Sequence, residues 1–125
     1  MKRLALLGLM LCVACEETQV LCECAIAGTT VVVPDNLSAT AVRISGVGCD
    51  HADLKCGDQH VVPESGLCTS GEYFIPPADD GVCHIEVDLD GHGTFTRDVR
   101  FEDSDGCCEG VYPVSGDWLV NVEVQ

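Results

Sequence analysis

At 125 residues the chain has room for one domain and hardly for a second. Ten cysteines, about 8% of the residues, put a secreted disulfide scaffold ahead of an ordinary cytosolic domain, and the patterned apolar content excludes a disordered chain. A formal net charge of −15 excludes nucleic acid as a partner and repels anionic lipid surfaces; an acidic balance of this kind mainly keeps a protein soluble.

The chain begins MKRLALLGLMLCVAC. Lys2 and Arg3 make a basic start, and residues 4–13 form a continuous apolar run of about ten residues, half of the about 20 that a membrane-spanning helix requires. That is the length of a signal-peptide core. The following Cys12-Val13-Ala14-Cys15 resembles the bacterial lipobox, in which a small residue precedes the cysteine that is lipidated and becomes the new N-terminus. The resemblance implies a signal peptide over residues 1–14, lipidation at Cys15 with palmitate-type acyl chains, and a place in the cell envelope, on the periplasmic face or the cell surface. It covers the first fifteen residues and implies nothing about the domain behind them. One acyl chain holds a protein to a membrane only marginally and two hold it stably, so the membrane partner is met through the anchor alone. Loss of Lys2 and Arg3 takes the net charge from −15 to −17.

Removing Cys12 with the signal and using Cys15 for the anchor leaves Cys22, Cys24, Cys49, Cys56, Cys68, Cys83, Cys107 and Cys108. An even set suits closed disulfides, and no pair of Cys-x-x-Cys knuckles argues for zinc. Cys107 and Cys108 are neighbours and should have separate partners, as should Cys22 and Cys24; Cys49 and Cys56 are placed to close a local loop. Residues 15–27 read as an acidic tether, and residues 28–125 as the domain.

Along the domain, strand-like runs alternate with turn signals. Residues 29–33 are β-branched and stop at Pro34-Asp35-Asn36; residues 39–45 stop at Gly46; residues 59–62 stop at Pro63; residues 72–75 stop at Pro76-Pro77. Residues 49–69 carry three cysteines and little apolar pattern, the mark of a long stapled loop. In residues 117–124, Trp118, Val120, Val122 and Val124 share one face of an expected strand.

The clearest element spans residues 82–101. Cys83, Ile85, Val87 and Leu89 alternate with His84, Glu86, Asp88 and Asp90, and Phe95, Val99 and Phe101 share a parity. A hairpin looped at Gly91-His92-Gly93, with Gly93 left-handed, pairs Leu89 with Phe95, Val87 with Arg97, Ile85 with Val99 and Cys83 with Phe101, gathering the apolar side chains on one face. Arg97 is the misfit there, expected to hold its head in water. The same register sets Glu86 against Asp98 beside Asp88 and Asp90, like charges whose resolution would be a bound Ca²⁺. The run from Asp88 lacks the closing glutamate of an EF-hand, because Val99 stands in its place.

No helical period is convincing after residue 28. About seven short strands predict an all-β domain, a small antiparallel β sandwich, immunoglobulin-like in the broad sense and stapled by disulfides. His51, His60, His84 and His92 have no ligand spacing, and no hydrolase elbow, phosphate loop or zinc-protease helix is present. The expectation is therefore a non-enzymatic, exported envelope lipoprotein whose domain binds an unknown protein or small ligand or serves a structural role, with no cofactor. The alternatives are a calcium or other metal module on Glu86, Asp88, Asp90 and Asp98, and a soluble secreted cysteine-rich protein.

Overall fold

A computed structural model describes residues 27–57, 65–104 and 109–125. The domain is all-β. Eight strands lie among the described residues: β1 Thr29–Val32, β2 Ala39–Ser45, β3 Lys55–Cys56, β4 Glu72–Ile75, β5 Gly81–Leu89, β6 Gly93–Ser104, β7 Gly110–Pro113 and β8 Leu119–Asn121. They form two four-stranded sheets, one ordered β8-β1-β4-β3 and the other β2-β5-β6-β7.

The strands stop where the sequence stops them. Residues 39–45 and 72–75 fold as expected, and β1 ends just before Pro34, which fixes its φ and offers no N–H to a ladder. The strand expected over residues 59–62 lies outside the described residues. Two strands carry too little pattern to be read from sequence. β3 is two residues long, inside the segment expected to be loop, and β7 is four residues long and ends on Pro113. The last strand is shorter than expected. Only Leu119–Asn121 pairs, and it runs parallel to β1, so the first sheet is not wholly antiparallel. Val120 and Val122 are buried as the alternation requires, but Trp118 and Val124 are 38% and 52% exposed. The chain leaves the sheet after the Val122 N–H reaches the Val32 carbonyl, and the Gln125 side chain ends against the backbone of Thr96 on β6.

The hairpin of β5 and β6 has the expected parity but a register shifted by two. Leu89 pairs with Gly93, Val87 with Phe95, Ile85 with Arg97, Cys83 with Val99 and Gly81 with Phe101. The loop is Asp90-Gly91-His92, closed by the His92 N–H on the Leu89 carbonyl at 3.1 Å. A shift of two leaves every side chain on its own face, so the apolar pattern cannot choose between the registers. The turn and the polar face choose. Gly91 and Gly93 take φ of 76° and 80°, a region that costs a side chain and costs glycine nothing. The expected Glu86–Asp98 opposition is replaced by His84 against Asp98 and Glu86 against Thr96, which separates the like charges.

Both sheets feed one core. Val31, Tyr73, Ile75 and Val120 of the first sheet and Cys83, Ile85, Val87, Val99 and Phe101 of the second are almost fully buried in a single cluster. Each aliphatic or aromatic side chain so buried contributes about 1.5–3 kcal/mol relative to exposure. Arg97 lies on this face, but its guanidinium runs to the rim, 3.4 Å from Asp117 Oδ1.

Among the described residues, two disulfides join Cys49 to Cys83 and Cys56 to Cys68. The expected Cys49–Cys56 loop is therefore wrong. After β2, the chain turns sharply at Gly46, whose φ of 112° and close approach to the Val82 carbonyl leave no room for a side chain. The short 3-10 turn Val47–Cys49 then delivers Cys49 onto the start of β5, where Cys83 faces the core. Cys56 lies on β3 opposite Tyr73, and Cys68 donates its N–H to the Tyr73 hydroxyl at 3.0 Å, so the second bridge forms across β4. Cys22, Cys24, Cys107 and Cys108, with Cys15, the residue expected to be lipidated, lie outside the described residues.

Candidate functional site

The outer face of the second sheet collects the acidic residues named from the sequence. Cross-strand alternation places His84, Glu86 and Asp88 of β5 on this face, with Asp98 opposite His84. Arg43 of β2 stands opposite Glu86. Its Nε donates to Glu86 Oε1 at 3.1 Å, and its two terminal nitrogens fork onto both oxygens of Asp88 at 2.9 and 3.0 Å. The planar guanidinium suits that bidentate geometry. Thr94 adds a hydroxyl to Asp88 Oδ1 at 2.8 Å. His84 spans two carboxylates, with Nδ1 on Asp98 Oδ1 and Nε2 on Glu86 Oε2 at 3.2 Å.

These contacts settle the charges. The Arg43 hydrogen bond, helped by Thr94, brings the Asp88 carboxyl down from 3.8 to about 2. Hydrogen bonds from Arg43 and then His84 lower that of Glu86. The Asp98 carboxylate first, and Glu86 second, raise the His84 imidazole above its ordinary value of 6.5. Asp90 stands apart, exposed in the hairpin turn, with its N–H on the Ser38 carbonyl. So Glu86, Asp88 and Asp98 share one face but are divided between the Arg43 guanidinium and the His84 imidazole, and Asp90 is not brought to them. Among the described residues no three His, Cys, Asp or Glu side chains converge as a metal site requires.

Sequence reasoning named the carboxylates and missed their cation. Arg43 lies 43 positions before Glu86, and the only signal was its place in a strand-like run, with nothing local to pair that run with β5. His51 and His92 are exposed in turns, and His60 lies outside the described residues.

A second feature lies at one end of the domain. The β1–β2 turn, the loop before β4 and the start of β2 enclose an open cleft of about 300 Å³, walled in part by Val33, Asp35, Leu37, Leu67, Ser70 and Tyr73. The Val33 N–H on the Gly71 carbonyl and the Asp90 N–H on the Ser38 carbonyl tie the cleft, the loop and the hairpin tip into one end. The chain enters at the other end. Thr29 pairs with Ile75, the last residue of β4, and the connection from there leads to Gly81 at the start of β5. The Cys56–Cys68 bridge helps hold the cleft, since Cys68 lines it.

No protein-family model, curated protein or solved structure matches the chain. Fold and cross-links define an all-β, disulfide-stapled domain. Disulfides form and persist in oxidising compartments, so the two bridges indicate an extracellular or periplasmic setting. Among the described residues no helix is long and apolar enough to cross a membrane.

Proposed function

We propose that the protein is an exported lipoprotein of the cell envelope, held by acyl chains on Cys15, and that its residues 28–125 are a non-enzymatic β sandwich that binds a partner. The sandwich reading draws on two four-stranded sheets that share one apolar core. Export draws on the buried disulfides, and the anchor on the lipobox-like Cys12-Val13-Ala14-Cys15.

One observation carries the binding role. The chain enters the domain beside Ile75, and the cleft with the hairpin tip lies at the opposite end. A lipid-anchored domain turns the end farthest from its tether outward, so the cleft end is the one a partner meets. The net charge of the mature chain keeps the domain body off anionic headgroups.

Intact mass and detergent partition of the protein from the envelope test the anchor. The expected mature chain begins at Cys15, carries a diacylglycerol thioether and enters the detergent phase, whereas Cys15→Ser stays as unprocessed precursor. A mature terminus without lipid would replace this reading with a soluble secreted protein.

A further inference from the structure

We infer that the open cleft takes a basic peptide segment of a protein partner, with a lysine or arginine side chain against Asp35 and a backbone carbonyl accepting the hydroxyl proton of Tyr73. The inference deepens the binding role proposed above and rests on it.

Charge selects the class of ligand. Exposed Asp35 lines the cleft, and among the described residues no lysine, arginine or histidine does so. Asp90 adds a second exposed carboxylate at the hairpin tip, where its N–H donates to the carbonyl of Ser38, a lining residue, at 2.8 Å. Among the described residues neither carboxylate has a cation within ion-pair distance, unlike Glu86, Asp88 and Asp117, which are met by Arg43 and Arg97. With a net charge of −15 on the chain, an anionic ligand is repelled from this end and a cationic one is drawn in.

The buried wall supplies a second, independent observation. Tyr73 is 1% exposed yet lines the cleft, and its hydroxyl oxygen accepts the Cys68 N–H at 3.0 Å. A phenol also has a proton to donate, and among the described residues no acceptor takes it. A buried donor left unpaired is costly, and buried tyrosine hydroxyls normally find a partner. The cleft is the side from which an acceptor can arrive. A peptide brings both groups at once, a carbonyl for the phenol and a cation for the carboxylate. A bare ammonium or metal ion brings no acceptor, and an anionic ligand brings the wrong charge.

Size and shape agree with this occupant. At about 300 Å³ the cleft stands at the small end of ligand pockets, which run from about 300 to 1,000 Å³, so it suits one long side chain with its adjoining backbone. Leu37 and Leu67 on its wall give the stem of a lysine or arginine apolar surface to lie on while the charged head stays at the Asp35 rim. The Cys56–Cys68 bridge and the Val33 N–H on the Gly71 carbonyl at 2.8 Å hold the two walls, so the site is formed before the ligand arrives.

Amide NMR of the mature protein in neutral detergent, titrated with acetyl-Ala-Lys-Ala-amide and separately with acetyl-Ala-Glu-Ala-amide, tests the site. The lysine peptide should move the signals of Asp35, Ser38, Cys68 and Gly71 saturably at millimolar concentration, and the glutamate peptide should not. Tyr73→Phe should weaken the lysine peptide about two- to tenfold, and Asp35→Asn about two- to fivefold. Glu102→Gln removes the same charge from a strand pair far from the cleft, opposite Tyr112, and should change nothing. Should Tyr73→Phe fail to fold, the exposed Asp35→Asn against Glu102→Gln still decides. Shifts spread evenly over the surface, or an affinity indifferent to Asp35→Asn, overturn the inference. Equal binding of the glutamate peptide overturns the basic ligand and leaves a binding cleft, whereas no saturable shift with either peptide overturns both. The lipid on Cys15 is read by intact mass and is independent of these outcomes.

Discussion

Asp117 accepts the Arg100 backbone N–H on its carboxylate at 2.7 Å, and its own carbonyl accepts the Thr29 hydroxyl at 2.8 Å. One residue thus joins the rim of the second sheet to the first strand of the other. Beyond β7 the chain keeps to the edge of β6; the Val114 N–H donates to the Arg100 carbonyl, and the turn after it carries Asp117 to the Arg100 N–H. The next residue crosses over, since the Trp118 carbonyl takes the Thr30 N–H. The parallel β8–β1 pair follows from that crossing.

Thr29 is the one fully buried polar side chain among the described core residues, and its hydroxyl holds this joint. Thr29→Val keeps the shape and removes the donor, leaving the Asp117 carbonyl without its partner. The expected cost is about 1–3 kcal/mol in urea unfolding. Thr29→Ser keeps the hydroxyl and should cost less than Thr29→Val. Equal stability of Thr29→Val and the parent would show that the joint is not held by this bond.

His84 makes the stability of the domain depend on pH near neutrality. Its carboxylate neighbours Asp98 and Glu86 raise its pKa on folding, so the native state binds the proton more tightly than the unfolded chain. The stabilisation is full below 6.5, the ordinary value, and is lost as pH rises through the native value. Asp88 works with the opposite sign. Its contribution is present above 3.8 and is lost as pH falls through about 2. The melting temperature of the parent should therefore fall from pH 6 toward pH 8 more than that of His84→Asn, and NMR titration should place the His84 imidazole above its ordinary value of 6.5. Parallel pH profiles for parent and variant would remove His84 from the account.

How far the sequence reached depends on the range of the interaction. The alternation of residues 82–89 and the Pro76-Pro77 stop are local, and both were legible. The hairpin register was half legible, because a slip of two keeps Ile85, Val87, Val99 and Phe101 inside. The deciding terms were two turn glycines and the charges opposite His84 and Glu86. Arg43 beside Asp88, Cys83 beside Cys49 and Asp117 beside Thr29 depend on contacts between strands distant in sequence, which no local pattern encodes. β3 and β7 are too short to show a period.

Calcium should leave the domain unmoved. Glu86 and Asp88 face Arg43, and Asp98 faces His84, so a divalent ion would have to displace the Arg43 guanidinium and the His84 imidazole, both already in hydrogen-bond contact. Millimolar Ca²⁺ is expected to leave the melting temperature unchanged at pH 7. Arg43→Gln should raise the Asp88 carboxyl back toward its ordinary value, readable by NMR, and is the variant in which any latent Ca²⁺ affinity would show. A clear rise in the melting temperature of the parent with Ca²⁺ would mean that the carboxylates prefer the metal to Arg43.

The two bridges should differ in worth because they close loops of different size. Cys49 and Cys83 are 34 residues apart, and Cys56 and Cys68 are 12. If a disulfide acts chiefly by restricting the unfolded chain, each contributes about 2–4 kcal/mol, and the longer loop is worth about 1 kcal/mol more than the shorter. Packing adds in the same direction. Cys83 lies on a central strand with no exposure, whereas Cys56 and Cys68 sit at the edge of the core. Cys49→Ala/Cys83→Ala should therefore lose more stability in urea than Cys56→Ala/Cys68→Ala. The second pair should instead loosen the loop between Cys68 and Gly71, with faster amide exchange at Cys68 than in the first. The reverse order of stability would mean that strain or residual structure, and not loop closure, sets the value of these bridges.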